Sequence, residues 1–391
     1  MKNIAQIKNQ FMLNPDITYL NFGSFGACVK PVFNELIRLQ TLLEFEPVQF
    51  ITVNGPRYLA ASRKALAQFI NCNMDDVVYV PNPSFAVNLV AKNLKLKAGD
   101  EILTTNLEYG ACDKTWEFYC NEWGAKYVRQ PVTLPLTDTQ TFVNDFFKGL
   151  TPRTRLIFIS HITSTTALKF PVDEICAKAK EMGLLTFVDG AHAPGHVAIN
   201  LGLLKADFYT GACHKWMMTP KGSSFLYADK KLQPMLNPLI VSWGYNSNMA
   251  SNSTFMDYHQ FNGTRDFSAY LTIPTAITFM QQNNWDEVGM HCHKLVVENA
   301  TRFCALFETE PLSPLNNNFI GQMCSIPVNT NHPVELQQHL FNAFKIEVPV
   351  MCIDGKTYIR YSIQAFNTQS DLDKLYDALA TIKQKGKLLL Q

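Results

Sequence analysis

The chain is predicted to be an α/β protein, with a large domain built on a mostly parallel sheet between helices and a smaller α+β domain after it. Two observations carry this expectation. Between residues 76 and 229, short, continuously apolar runs such as Leu184 to Val188 alternate with helical patterns, and runs of that kind suit strands covered on both faces. Past about Ser268 the order changes to long helices and then grouped strands, the mark of a separate α+β unit. At 391 residues the chain is also longer than one compact core usually allows.

The elements follow in order. Pro31 to Phe45 has Pro at the first helical position and Phe33, Leu36, Leu39 and Leu43 at helical spacing. A second helical pattern runs from Arg57 to Ile70. DVVYV (Asp76 to Val80) leads through PNPS into a helix ending at Leu94; EILTT precedes a helix ending near Gly124; RLIFIS precedes one ending at Gly183; LLTFV, DFYTG and SSFLYAD are the remaining strands. Sustained βα alternation implies a parallel sheet with helices on its faces. Then come helices over Ile273 to Asn283 and Asp286 to Glu308, and strands in QMCSIPV, IEVPVMC and TYIRYSIQ. The expected division is an N-terminal arm (1–17) packing with the small domain, a large domain (18–268) and a small domain (269–391). The stretch Val241 to Ser268, rich in Asn, Ser and Gly, is too long for an ordinary loop and reads as a functional one.

Composition excludes several classes. A net charge of +1 supplies no electrostatic reason for a nucleic acid or an anionic membrane as partner. The N-terminus lacks a signal-peptide core and no apolar run is long enough to span a bilayer. Ten cysteines without a CxxC pair suggest reduced, mostly buried thiols. The expected setting is the cytoplasm. Charged residues at 17% are few, so part of the surface is expected to be covered by a partner subunit.

In open parallel sheets the ligand crevice lies outside the carboxyl ends of the strands. Asp189 ends one apolar run and Lys215 follows the next, so a carboxylate and an amine stand at neighbouring strand exits. That pair suits pyridoxal phosphate (PLP) chemistry, with a lysine Schiff base and an acid that keeps the pyridinium nitrogen protonated. Either residue alone is more often a helix cap or a solvated surface group. Ser84 stands where a helix begins, and a helix N-terminus with a hydroxyl can hold a phosphate, although an ordinary Ser cap is the commoner case. With no GxGxxG and no Walker motif, a monophosphate ester fits better than a nucleotide. Tyr109 follows another strand exit and could stack on a flat ring, while His192 is placed to bond a ligand atom near Asp189. His192 and His196 have HxxxH spacing, but Gly and Pro between them rule out a helix and hence a zinc site.

With these pieces assembled, the sequence resembles the class V aminotransferase family of fold type I PLP enzymes, and most of all its isopenicillin N epimerase subgroup. The resemblance runs through YLNFGSFGAC, PNPSFAVNLVA, LEYGA, SHITSTTALKFPV, FVDGAHAPGH, CHKWMMTPKGSSFLY, GTRDFSAYLTIPTAI and IRYSIQAFNT. It implies a seven-stranded, mostly parallel sheet, a homodimer and PLP as cofactor. Lys215 would be the Schiff-base lysine, Asp189 the partner of the pyridinium nitrogen, His192 a neighbour of the phenolic oxygen and Tyr109 the stacking ring. The phosphate would be held by Ser84, the N–H groups of Phe85 and Ala86, His214, and Thr264 from the other subunit. Arg360 would bind the substrate carboxylate, as its planar fork suits. His161 would face the cofactor oxygen or the substrate, and the loop from Asn21 to Ser24 would line the substrate side. Ala212 departs from the Ser or Asn of relatives, and the RxGxxC pattern of cysteine desulfurases is absent.

The expected reaction begins with removal of the Cα proton of an amino acid. An aminotransferase or β-elimination lyase is expected first and an epimerase second, with Tyr109, His161 and His192 as candidates for the epimerase's second acid. The reading from another class is a PLP-binding protein without turnover, which the joint presence of Lys215, Asp189 and Arg360 speaks against.

Overall fold

The structure is a computed structural model that describes residues 7–248 and 250–390; the first six residues of the expected N-terminal arm lie outside them. Two helices come first, α1 (Lys30–Phe45) and α2 (Gly55–Phe69). Then follow β1 (Val77–Val80), α3 (Pro83–Leu94), β2 (Glu101–Thr105), α4 (Gly110–Trp123), β3 (Lys126–Gln130), α5 (Thr139–Phe147), β4 (Thr154–Ser160), α6 (Val172–Glu181), β5 (Leu185–Gly190), β6 (Phe208–Ala212) and β7 (Ser224–Ala228).

The seven strands form one sheet in the order β1-β7-β6-β5-β4-β2-β3. All pairings are parallel except those of β7, which is antiparallel to both β1 and β6. Alternation along the strands divides the apolar side chains between two cores. Phe158, Phe187, Phe208 and Leu226 meet Trp116 and Leu89 of α4 and α3 on one face. Ile157, Ile159, Val188 and Tyr209 pack into the larger core on the other. Two elements of this part escape the expectation. KYVRQ forms β3 at the sheet edge, where Lys126 and Arg129 are exposed, so the strand carries no continuous apolar run. Helix α5 follows it.

The C-terminal part opens with α7 (Ile273–Gln282) and α8 (Trp285–Leu306) and continues with β8 (Met323–Val328), α9 (Pro333–Phe344), β9 (Val350–Ile353), β10 (Lys356–Ser362) and α10 (Gln369–Lys385). β9, β10 and β8 form an antiparallel sheet in that order. The stretch IEVPVMC, expected as one strand, divides at Val348–Pro349: Ile346–Glu347 pair in parallel with Thr18–Tyr19, while Val350–Ile353 join β10. A proline has no N–H to offer a ladder, so the strand breaks there. The N-terminal segment is thereby tied to the C-terminal part, and Phe11 adds to the contact by packing on Phe366, with ring centroids 4.8 Å apart.

Candidate functional site

Parallel strands leave their carboxyl ends on one edge of the sheet, and the exits of β1, β2, β4, β5 and β6 converge there. They enclose a cavity of ≈ 230 Å³ lined by Asn82, Ser84, Tyr109, Ser160, Asp189, His192, His214 and Lys215, among others. Ser24 and Phe25 of the N-terminal loop and Ser164 of the segment after β4 complete the wall. The loop can lie this close because Gly26 has φ +61°, and a Cβ there would overlap the backbone of His214 and Lys215.

Asp189 is buried at the end of β5, on the sheet face covered by α3 and α4. Its Oδ1 accepts from the Ala191 N–H at 2.9 Å, and the Cys112 thiol donates to Oδ2 at 3.5 Å. Burial pushes the carboxyl up, while the Ala191 N–H and the charge of Lys215 oppose it. Lys215 Nζ lies 3.2 Å from His192 Nε2. Its pKa is drawn down to about 8, first by desolvation and then by Arg360, against the pull of Asp189. The site thus holds an amine that is easily made neutral beside a carboxylate behind it.

Arg360, on β10, is buried, and its Nη1 donates to the Ser164 carbonyl at 2.6 Å. Its Nη2 donates to Ser24 Oγ at 2.9 Å, and Ser24 in turn donates to Asn21 Oδ1 at 2.5 Å. Its Nε is without a partner, and among the described residues no carboxylate pairs with it. Desolvation lowers its pKa to about 10. A buried guanidinium normally carries an anion; Arg360 itself is not in the cavity lining and reaches it through Ser24 and Ser164.

Other residues lie differently from expectation. The cap of α3 is Asn82, whose Oδ1 accepts from Phe85 N–H at 2.9 Å, with Pro83 in the first turn and Ser84 after it. Proline pre-sets the first helical φ and needs no hydrogen bond there, so the cap falls two residues before Ser84. The N–H of Phe85 is therefore taken, and that of Ala86 lies 3.4 Å from the Asn82 carbonyl. His161 is not in the cavity. Ser160 and Ile162 line it, and the intervening His161 points to the opposite face, where Nδ1 meets Tyr209 Oη at 3.0 Å. Thr264 is exposed and outside the cavity lining of this chain. His214 is at the wall, with Nδ1 donating to the Ser223 carbonyl at 3.0 Å, which leaves Nε2 uncommitted to that bond. Tyr109 stands half-exposed at the mouth. Among the described residues there is no group of side chains suited to a metal.

Residues the sequence did not single out for this site are Asn82, Cys112, Ser164 and Trp216. Glu108 also belongs here: buried, it accepts from Ser160 N–H at 2.9 Å and from the Thr105 hydroxyl at 2.6 Å. Asn-Pro before a helical run was a readable cap signal; the others are neighbours only in three dimensions.

A family model described as "Aminotransferase class-V" matches residues 56–375. The chain belongs to this family. It is 31% identical to an isopenicillin N epimerase of Amycolatopsis lactamdurans, over 97% of this chain and 98% of that protein. It is 26% identical to a probable chloroplastic L-cysteine desulfhydrase of Arabidopsis thaliana, over 98% of this chain and 86% of the other. Among solved structures, the apo cysteine desulfurase of Thermococcus onnurineus NA1 superposes with a TM-score of 0.82 at 19% identity, covering 98% and 99% of the two chains. The chain is therefore a class V enzyme of PLP fold type I, and its cofactor is pyridoxal 5'-phosphate. The cavity suits that group: it combines a buried carboxylate, an amine of lowered pKa and a polar wall at the start of a helix. Among the described residues no helix is long and apolar enough to cross a membrane.

Proposed function

We propose that the cavity binds PLP through Lys215 and Asp189 and acts on a small amino acid docked by its carboxylate on Arg360, as a β-elimination lyase or an aminotransferase. The observation that carries this reading is the buried guanidinium of Arg360, which lacks an anionic partner among the described residues and is bonded to Ser24 and Ser164 of the cavity wall.

The bound cofactor supplies an electron sink for a carbanion at the substrate Cα. Arg360 orients the substrate by two parallel N–H bonds to its carboxylate. Asp189 would hold a proton at the ring nitrogen, its carboxylate oriented by the Ala191 N–H and the Cys112 thiol. Lys215 would supply the amine that holds the cofactor, and its Nζ would take the Cα proton as general base. Tyr109 covers the mouth and stacks on the ring, Asn21 to Ser24 line the substrate side, and Phe25 offers an apolar surface beside them. Ser84 and His214 hold the phosphate, joined by Thr264 of a second subunit; the Phe85 N–H, bonded to Asn82 Oδ1, and the Ala86 N–H, directed at the Asn82 carbonyl, join them only by giving up those contacts. The same reading makes the protein a cytoplasmic homodimer, with residues 18–268 carrying the cofactor and 269–391 the substrate arginine.

Two features support lyase or aminotransferase chemistry over sulfur transfer to a protein thiol. The described residues lining the cavity include no cysteine, and Cys352 is exposed on the β9–β10 hairpin, 3.2 Å from Thr357 Oγ1. Epimerisation is the second reading, favoured by the identity to the epimerase. It needs an acid opposite Lys215; His161 faces away and His192 bonds Lys215 itself, so Tyr109 is left for that task.

The test is a scan of the PLP-loaded protein with L and D amino acids and cysteine derivatives, assaying ammonia, pyruvate and other keto acids. Ammonia with pyruvate identifies a lyase, keto acid without ammonia an aminotransferase, and exchange of the Cα hydrogen with inversion an epimerase. A cofactor band that responds equally in wild type and Arg360→Ala would overturn the docking role of Arg360.

A further inference from the structure

The ring of His192 is held between two partners of unequal freedom. Trp216 Nε1 lies 3.5 Å from His192 Nδ1, and an indole N–H can only donate. Lys215 Nζ lies 3.2 Å from Nε2 on the other side of the ring. His192 is fully enclosed, and burial, reinforced by the charge of Lys215, holds its pKa well below 6.5. The ring is neutral and carries one N–H. With Nδ1 accepting from Trp216, that hydrogen is on Nε2 and points at the lysine nitrogen. An ammonium has no lone pair with which to accept it.

We propose that Trp216 is a positioning residue that locks His192 in its Nε2–H form and so holds Lys215 as the free amine. A charged Lys215 would have to donate to Nε2, move the ring hydrogen to Nδ1 and set it against the Trp216 N–H. The hydrogen-bond geometry stands without the cofactor; its meaning for function rests on the reading of Lys215 as the cofactor's amine.

The surroundings keep the two rings in place. The Gln322 N–H donates to His196 Nε2 at 2.6 Å, so His196 carries its hydrogen on Nδ1 and donates it to the His192 carbonyl at 2.9 Å. The His196 ring stacks on Trp216, with centroids 3.9 Å apart and planes at 24°. Gly195, at φ +80°, lets the His192–His196 turn lie against the backbone of Trp216 and Met217, where a Cβ would overlap it. The HxxxH pair set aside as a metal site is thus a support for the lysine: His192 meets its amine, and His196 fixes the backbone of His192 and the plane of Trp216.

The other groups facing the lysine divide. Asp189 favours its charged form, whereas Arg360 disfavours it; the Cys112 thiol is protonated and carries no charge, and His214, next to Lys215 in the chain, is neutral, its pKa drawn down to about 4 by burial. Burial exceeds each of these effects, and the Trp216–His192 bond adds a directional preference for the same neutral state.

The test uses the full chain, stripped of cofactor, with Trp216→Phe and, as an isostere lacking only the N–H, Trp216→benzothienylalanine. Imidazole ¹⁵N spectra, assigned through His192→Gln, read the tautomer. The pH dependence of the rate of PLP capture reads the lysine. Wild type is expected to show His192 with its hydrogen on Nε2 and a capture midpoint about 8. Both variants are expected to show mixed tautomers and a midpoint higher by roughly one unit, slowing capture at pH 7 by ~10-fold. A wild-type His192 protonated on Nδ1, or an unchanged midpoint in the folded benzothienyl variant, would overturn the proposal. If no protein captured PLP, the reading of Lys215 would fall, and the ¹⁵N spectra would still decide the tautomer.

Discussion

Arg360 Nη2 donates to Ser24 Oγ at 2.9 Å across 336 positions of the chain. A strand of the C-terminal part and the loop after Tyr19 therefore meet around one guanidinium. The parallel bridge between Asn21 and Ser362, with the Ser362 N–H donating to the Leu20 carbonyl at 2.8 Å, brings them together within a few residues of both side chains.

If this guanidinium docks the substrate carboxylate, Arg360→Ala raises KM by ~10- to ~10²-fold, the equivalent of one charge-assisted bond of ~1.5–3 kcal/mol. Arg360→Lys retains charge but loses the fork and falls between. Steady-state kinetics check this, with the absorbance of bound PLP unchanged in all three proteins.

The same residue is a burden on the free fold. Its pKa falls from 12.5 to about 10 through desolvation. Between those values the unfolded chain binds the proton and the folded one does not, so stability rises with pH through that window and carries the full penalty below it. Arg360→Met is therefore expected to be more stable than wild type at pH 7, by roughly 1–3 kcal/mol. Urea denaturation of the two cofactor-free proteins measures it; a less stable variant refutes the account.

Glu108 is the opposite case. Burial drives its pKa up from 4.5 to about 8, although Ser160 and Thr105 donate to it. Between these values the folded state binds the proton and the unfolded state does not, so wild-type stability falls as pH rises from about 4.5 to 8, at up to ~1.4 kcal/mol per unit. Glu108→Gln removes that slope. Denaturation midpoints at pH 5 and pH 8 should differ less in the variant than in wild type.

Cys112 donates to the Asp189 oxygen that the Ala191 N–H does not use. Its thiol is pushed well above 9, chiefly by burial and then by Asp189 and Glu108, so it stays protonated and unreactive while the protein is folded. Cys112→Ala is expected to leave cofactor binding intact and move the pH midpoint of the PLP absorbance by ~0.5–1 unit, the worth of one net hydrogen bond. Cys112→Ser, a stronger donor, should restore it or shift it the other way. Alkylation of Cys112 at the rate of exposed Cys352 in the folded protein would contradict this.

Val241 and Trp243 are 68% and 87% exposed, and Ile240 adjoins them. Apolar side chains so placed in one segment suit a subunit contact. If the chain is the homodimer proposed above, with Thr264 shared between subunits, Trp243→Asp is expected to convert dimer to monomer in sedimentation and to weaken PLP retention. A wild-type monomer that holds PLP fully would exclude the cross-subunit role.

Much of the sheet was legible because its signals are local. Leu184 to Val188 is uncharged and almost wholly apolar because both faces are covered, and the first charged residue after it, Asp189, falls at the carboxyl edge. Lys215 stands one turn beyond the next strand for the same reason. Strand β3 was not legible, because an edge strand such as KYVRQ shares its surface with water and loses the apolar run. His161 was misplaced by a single residue: beyond a strand's end the side chains still alternate, so Ser160 and His161 point to opposite faces.

By itself, then, the sequence determined which residues stand at strand exits, and hence a carboxylate and an amine on one edge of a parallel sheet. Periodicity and composition act over a few residues, and that is the range of such statements. Only the tertiary structure decided that Ser24 would join Arg360, that Cys112 would meet Asp189, and that Trp216 would choose the tautomer of His192. These are hydrogen bonds between segments far apart or turned back on themselves. Their donors and acceptors acquire direction only when packing fixes the backbones that carry them.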